Sequence, residues 1–233
     1  MLNFQPWDEL LQQYVDQQGL INYQQMQGQS ATKLTNWLEE LSQINPESLD
    51  LQSQLAFWIN LYNALVIEQI LKSYPLESIL PNFLGVPNWL AFFKFFSRPV
   101  YKINQQSYTL NNIEHDIIRQ KYNDPRIHFA LVCAAIGCPL LRNQAYNGDR
   151  LEIQLEEDAQ RFINNPQKVF YDQGQQILYC SKIFKWYKQD FLKVSPSLRK
   201  YIQTYLSPSI VISESTTIKY LNYDWHLNQR ISS

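Results

Sequence analysis

The chain has 233 residues, 45% of them hydrophobic, which is enough to bury a full core as a single domain spanning 1–233. Its 20 basic and 21 acidic residues leave a formal net charge of -1, which excludes a general electrostatic pull toward nucleic acid or anionic membrane. Any partner must be recognised locally.

The start, Met1-Leu2-Asn3-Phe4-Gln5-Pro6-Trp7-Asp8, has no basic segment, apolar core or small-residue cleavage site, so a secretory signal is not expected and the location reads as cytoplasmic. In that reducing compartment the three cysteines should persist as thiols or metal ligands rather than bridges. Trp7, Leu10, Leu11, Tyr14 and Val15 recur at helical spacing before a stop at Gly19, and Leu34, Trp37, Leu38 and Leu41 predict a second helix from about Thr32 to Gln43. Residues 51–74 are apolar on most sides, as a buried central helix requires. Asn60 and Asn63 share one face of it and need partners, as packing glue or as substrate-binding donors.

Residues 79–100 carry Phe83, Trp89, Leu90, Phe92, Phe93, Phe95 and Phe96, interrupted by Pro81, Pro87 and Lys94. The run falls short of the roughly 18 to 20 apolar residues of a membrane span, and reads as a buried or lid-like segment or a partner surface. Val100 to Thr109 suggests a short hairpin. Asn111 and Glu114 have the spacing of a capping box opening a helix to Tyr122. Ile127 to Cys133 suits a buried strand, and Pro139 the first position of a following helix. Further on, the pattern predicts a helix over 151–163, a hairpin pairing 168–171 with 176–180, a helix over 182–191 begun at Ser181, another over 197–206, and a final strand over 218–225. With no internal repeat, this is an α+β, helix-rich single domain around a buried central helix, with a small, mainly antiparallel sheet.

The chemistry gathers between residues 114 and 142. Gly137-Cys138-Pro139 would set Cys138 at a helix cap, where free backbone amides and the dipole stabilise a thiolate. His128 is a candidate general base for it, and Glu114 the carboxylate that orients the imidazole; Asp190 and Asp224 are more distant candidates for that role. In a regular strand His128 and Cys133 would face opposite ways, leaving Cys133 as the reserve nucleophile. His115 is the reserve base, neutral near the positive end of its helix. Arg142 closes the stretch as a candidate substrate-binding residue beside Asn60 and Asn63. His115, His128, Cys133 and Cys138 also supply four zinc-type ligands within 24 residues, but four residues separate the cysteines and twelve the histidines, unlike the usual tight pairs. No cofactor is expected and no metal ligand is assigned.

Blocks spread over most of the chain carry a family resemblance: Ala56 to Leu65 (AFWINLYNAL), Asn112-Ile113-Glu114-His115, Asp124 to Cys133 (DPRIHFALVC), Ser181 to Tyr187 (SKIFKWY) with Asp190-Phe191, and Tyr223-Asp224-Trp225. In this order they resemble the uncharacterised family called domain of unknown function 547. The resemblance implies that Glu114, His128, Cys133 and Cys138 occupy positions of the family pattern, including its Cys-x-x-x-x-Cys-Pro element, and brings no established reaction. His226 stands where a serine is expected after the Tyr-Asp-Trp element.

The resulting expectation is a cysteine-dependent hydrolase or acyltransferase acting through a Cys-His-Glu arrangement on an amide, thioester or related acyl group of a small molecule or peptide, with backbone amides near 137–140 for the oxyanion. Two alternatives stand beside it. One is a non-catalytic protein-interaction domain using residues 83–96 over buried structural cysteines; the other is a zinc or redox site built from the same residues.

Overall fold

The computed structural model describes residues 2–83 and 85–230; the Phe83 side chain, part of the aromatic run, lies outside the described residues. Helix α1 (Gln5–Tyr14) packs on α2 (Tyr23–Leu41), and α2 packs on α3 (Leu51–Ser73). The second helix begins well before Thr32 because Asn22 caps it, its side chain accepting the Gln25 N–H. Asp50 caps α3 in the same way through Ser53, and α3 is buried without interruption from Gln54 to Leu71. Its apolar residues on every side have no water-facing stripe to offer, so the other elements must surround it.

Beyond α3 a short hairpin of β1 (Asn82–Phe83) and β2 (Val86–Pro87) leads into α4 (Trp89–Ser97). A second hairpin joins β3 (Pro99–Ile103) to β4 (Gln106–Thr109), and its turn holds Asn104 and Gln105 at φ 48° and 69°. Both turn residues are left-handed, the geometry whose twist matches that of paired strands. The chain continues through a π-helical segment, Asn112–Ile118, into α5 (Arg119–Lys121).

After a 3-10 turn at Pro125–Phe129 the chain is irregular until α6 (Leu151–Ile163). Strands β5 (Val169–Asp172) and β6 (Ile177–Cys180) form the expected hairpin. The single helix expected over 182–191 is broken into α7 (Ile183–Trp186) and α8 (Lys188–Leu192), followed by α9 (Leu198–Gln203). Strand β7 (Thr217–Tyr220) pairs parallel to β6, and its ladder ends at Tyr220, short of the expected Trp225.

The fold is therefore α+β and helix-rich, with small, mainly antiparallel sheets rather than one. Two apolar clusters make the core. One surrounds α1, α2 and α3; the other gathers Phe129 of the 3-10 turn with Phe162, Phe184, Phe191 and Tyr201 from α6 to α9. Tyr223 packs against both, and the cavity described next opens where they meet.

Candidate functional site

The helix that carries Glu114 starts differently from the expected capping box. Asn111 is already helical, and Thr109 caps instead: its Oγ1 accepts the Asn112 N–H at 2.9 Å, while its own N–H and hydroxyl donate to Asn112 Oδ1. Glu114 is thereby released from backbone duty. The Arg119 N–H reaches back five residues to the Glu114 carbonyl, as in a π-helix. Spreading the turn over an extra residue brings consecutive side chains closer in direction than in an α-helix, so both Glu114 and His115 line the cavity.

Glu114 does not orient His128. Its Oε2 accepts from the Tyr62 hydroxyl at 2.9 Å and its Oε1 from Tyr187 at 2.6 Å. Asp190 holds the imidazole, with Oδ2 2.9 Å from His128 Nε2. Because a carboxylate only accepts, Nε2 bears the hydrogen and Nδ1 is the unprotonated nitrogen of the neutral ring. Burial lowers the pKa of His128, opposed by its bonds and charges to Asp190 and Glu114. Asp190 is held well below the usual carboxylate range by His128 and then by Arg119, whose Nε and Nη2 lie 2.9 and 2.8 Å from the same oxygen. Arg119 also donates to His115 Nδ1 at 3.0 Å, so that nitrogen is the acceptor. The Tyr187 ring stacks on His128 at 3.9 Å and lies 4.9 Å from the Arg119 guanidinium.

The cysteine segment departs most from expectation. Asp124 accepts the Arg126 N–H and Pro125 opens a 3-10 turn, so His128 is presented from a turn and no strand forms over 127–133. No helix follows Pro139 either: residues 139–147 are irregular, and Cys138 has no helix dipole beneath it. Nor do the thiols stay apart, because Cys133 and Cys138 are joined as a disulfide and Cys180 is the free, buried cysteine. Two donors replace the dipole at Cys138 Sγ: the Cys133 N–H at 3.0 Å and the Tyr223 hydroxyl at 3.1 Å. The same hydroxyl is 3.4 Å from Cys133 Sγ. Burial, with the Glu114 charge adding to it, raises the Tyr223 pKa and keeps it a donor.

The loop between the sulfurs is pinned from behind. The Ile136 and Gly137 N–H groups donate to the His226 and Asp224 carbonyls at 2.8 and 2.7 Å, and the Asn228 N–H donates to Ala134 O. Ala134 sits at φ 67°, a conformation that costs an L-residue energy and persists only where the surroundings enforce it. A Cβ on Gly137 would come within 2.8 Å of the Tyr223 ring, so a side chain there would displace the tyrosine from the sulfurs.

These groups line a cavity of about 510 Å³. Glu114, His128, Arg119 and the cysteines form its polar side; Trp89, Phe92, Phe93, Phe96, Trp186 and Trp225 form its aromatic mouth. Cys138 is 3% exposed, whereas Cys133 is half-buried. The candidate substrate-binding residues lie elsewhere. Asn60 clamps the backbone of Tyr146, bonding both its N–H and its carbonyl, and Asn63 bridges the Ala130 carbonyl and the Val132 N–H. Arg142 is buried against Asp158, Glu157 and the Gln154 carbonyl. Among the described residues no group of three or more His, Cys, Asp or Glu is placed to hold a metal ion.

Tyr62, Arg119, Tyr187 and Tyr223 are the site residues that motif reasoning passed over. Tyr62, Tyr187 and Tyr223 lie inside the blocks that carry the family resemblance, which was the available signal. No curated protein and no solved structure matched this chain. A family model described as "Protein of unknown function, DUF547" matches residues 46–163, a span holding α3, the π-helical segment and both bonded cysteines. The chain belongs to the DUF547 family.

Proposed function

We propose that the cavity is the active site of a cysteine-dependent enzyme that works by thiol–disulfide exchange at Cys133–Cys138. The observation that carries this reading is the asymmetry of the pair: one sulfur belongs to a half-buried residue on the cavity wall, and the other is buried beneath two hydrogen-bond donors. A substrate thiolate attacks Cys133 Sγ, the S–S bond breaks, and Cys138 leaves as a thiolate stabilised by the Tyr223 hydroxyl and the Cys133 N–H. A second thiol of the substrate then attacks the mixed disulfide at the substrate's sulfur. Cys133 is released, the substrate leaves as a disulfide, two protons end on the cysteines, and exchange with a low-molecular-weight disulfide, itself reduced to two thiols, restores the bridge for the next turnover. His128, which lines the same cavity, is the group suited to relay a proton. The aromatic mouth favours a substrate with an apolar part.

The test is oxidation of an aromatic dithiol by the purified protein, with native thiols counted before and after. Cys133→Ser and Cys138→Ser are expected to abolish turnover, and Tyr223→Phe to slow it about 10-fold, the loss of one hydrogen bond of about 1.5 kcal/mol. A bridge that resists excess dithiothreitol until the protein unfolds would end this reading.

The His128–Asp190 pair favours a second reading, acyl transfer by the reduced protein, with Cys138 as nucleophile and His128 as base. In that case a thioester substrate leaves an acyl group on Cys138, detected as an added mass that Cys138→Ser and His128→Asn eliminate. Absence of an adduct in the fully reduced protein counts against it.

A further inference from the structure

We infer that α4 and the hairpin before it form a docking face for an anionic lipid surface. One side of α4 is committed to the molecule: Phe96 is buried, and Phe92 packs on Trp225 with ring centroids 5.0 Å apart. The other side is uncovered. Val86 is 65% exposed, Trp89 46%, Leu90 80% and Phe93 59%. A surface helix ordinarily turns such residues inward, and a group of them facing water marks an interaction site.

Local charge identifies the occupant. Residues 81–102 contain Lys94, Arg98 and Lys102, all exposed, and no aspartate or glutamate, in a chain whose acidic residues otherwise outnumber its basic ones. Leu90 and Lys94 are four positions apart on α4, so a cation flanks its apolar side chains, and Arg98 follows at the extended C-cap, where its Nη2 donates to Gln69 Oε1. Tryptophan, phenylalanine and leucine beside Lys94 on one short helix, with Lys102 on the strand that follows, is the chemistry of a segment lying in a membrane interface: apolar groups enter the acyl boundary and cations meet anionic headgroups. Among the described residues no helix is long and apolar enough to cross a bilayer, so the contact is peripheral. This docking stands whether or not the cysteines react.

Sedimentation with vesicles tests the inference, using phosphatidylcholine alone and phosphatidylcholine mixed with phosphatidylglycerol. The full chain is expected to pellet with the mixed vesicles at low salt, much less with phosphatidylcholine alone, and to be released by added salt. Leu90→Ser and Phe93→Ser each should weaken binding about 10-fold or more. Lys94→Gln and Lys102→Gln should each weaken it about 5-fold. Because these side chains are exposed, circular dichroism is expected to match the wild type. Wild-type protein that stays in the supernatant with anionic vesicles overturns the inference, as does a Leu90→Ser/Phe93→Ser protein that pellets normally. A concentration-dependent dimer lost in Leu90→Ser, without vesicle binding, would assign the face to a second copy of the chain and equally overturn it.

Discussion

Helices α3 and α4 are both written largely in aromatic and aliphatic residues, and they meet opposite environments. From Gln54 to Leu71 every residue of α3 is buried, its polar side chains included. In α4 only Phe96 is buried, and its Trp89, Leu90 and Phe93 face water. Hydrophobic content alone therefore does not fix which helix becomes core. What separates them is partners: α2 and the π-helical segment pack against α3, and its amides clamp passing backbone. Helix α4 is covered on one side only, over the cavity. The first is where the molecule invests its stability, and the second leaves apolar side chains open to water.

The sharpest way to break this contrast is to cut the clamps on α3. Asn60→Ala strands the buried N–H and carbonyl of Tyr146, and Asn63→Ala strands the Ala130 carbonyl and Val132 N–H. Two unpaired groups at about 1–3 kcal/mol each predict a loss of about 2–6 kcal/mol per variant. Thermal unfolding should fall by about 5–15 °C, and a shift under a few degrees would deny α3 its anchoring role.

A smaller effect is expected from titrating the charged wall that Tyr62 of α3 backs. His128 and Asp190 both have folded pKa values below their unfolded ones, so the unfolded chain binds their protons more readily and acid removes stability. The loss begins as pH falls below about 6.5 for His128 and deepens below about 4 for Asp190. Urea midpoints at pH 7.5 and 5.5 measure the first step, which should shrink in His128→Gln. A wild-type midpoint that rises toward pH 5.5 would contradict the assignment.

The smallest change belongs to α4. Leu90→Ser and Phe93→Ser are expected to move unfolding free energy by no more than about 0.5 kcal/mol, as surface substitutions do. A loss of several kcal/mol in urea unfolding would place α4 with α3 in the core.

By itself, the sequence determined what local spacing and capping control: the unbroken apolar length of α3, the hairpin at β5 and β6, the helix-rich α+β class and the membership of Glu114, His128 and both cysteines in one region. It also held, in its Trp-Tyr-x-x-Asp and Tyr-Asp-Trp blocks, the residues that complete the site, without saying what they touch. Tertiary structure alone decided the pairings. Glu114 went to Tyr62 and Tyr187, and His128 to Asp190, because residues 52 to 73 positions apart in sequence meet only after the two core clusters pack. The strand over 127–133 and the helix after Pro139 failed for a related reason. The cysteine loop forms its hydrogen bonds with residues 224–228 at the far end of the chain, contacts that no local pattern encodes.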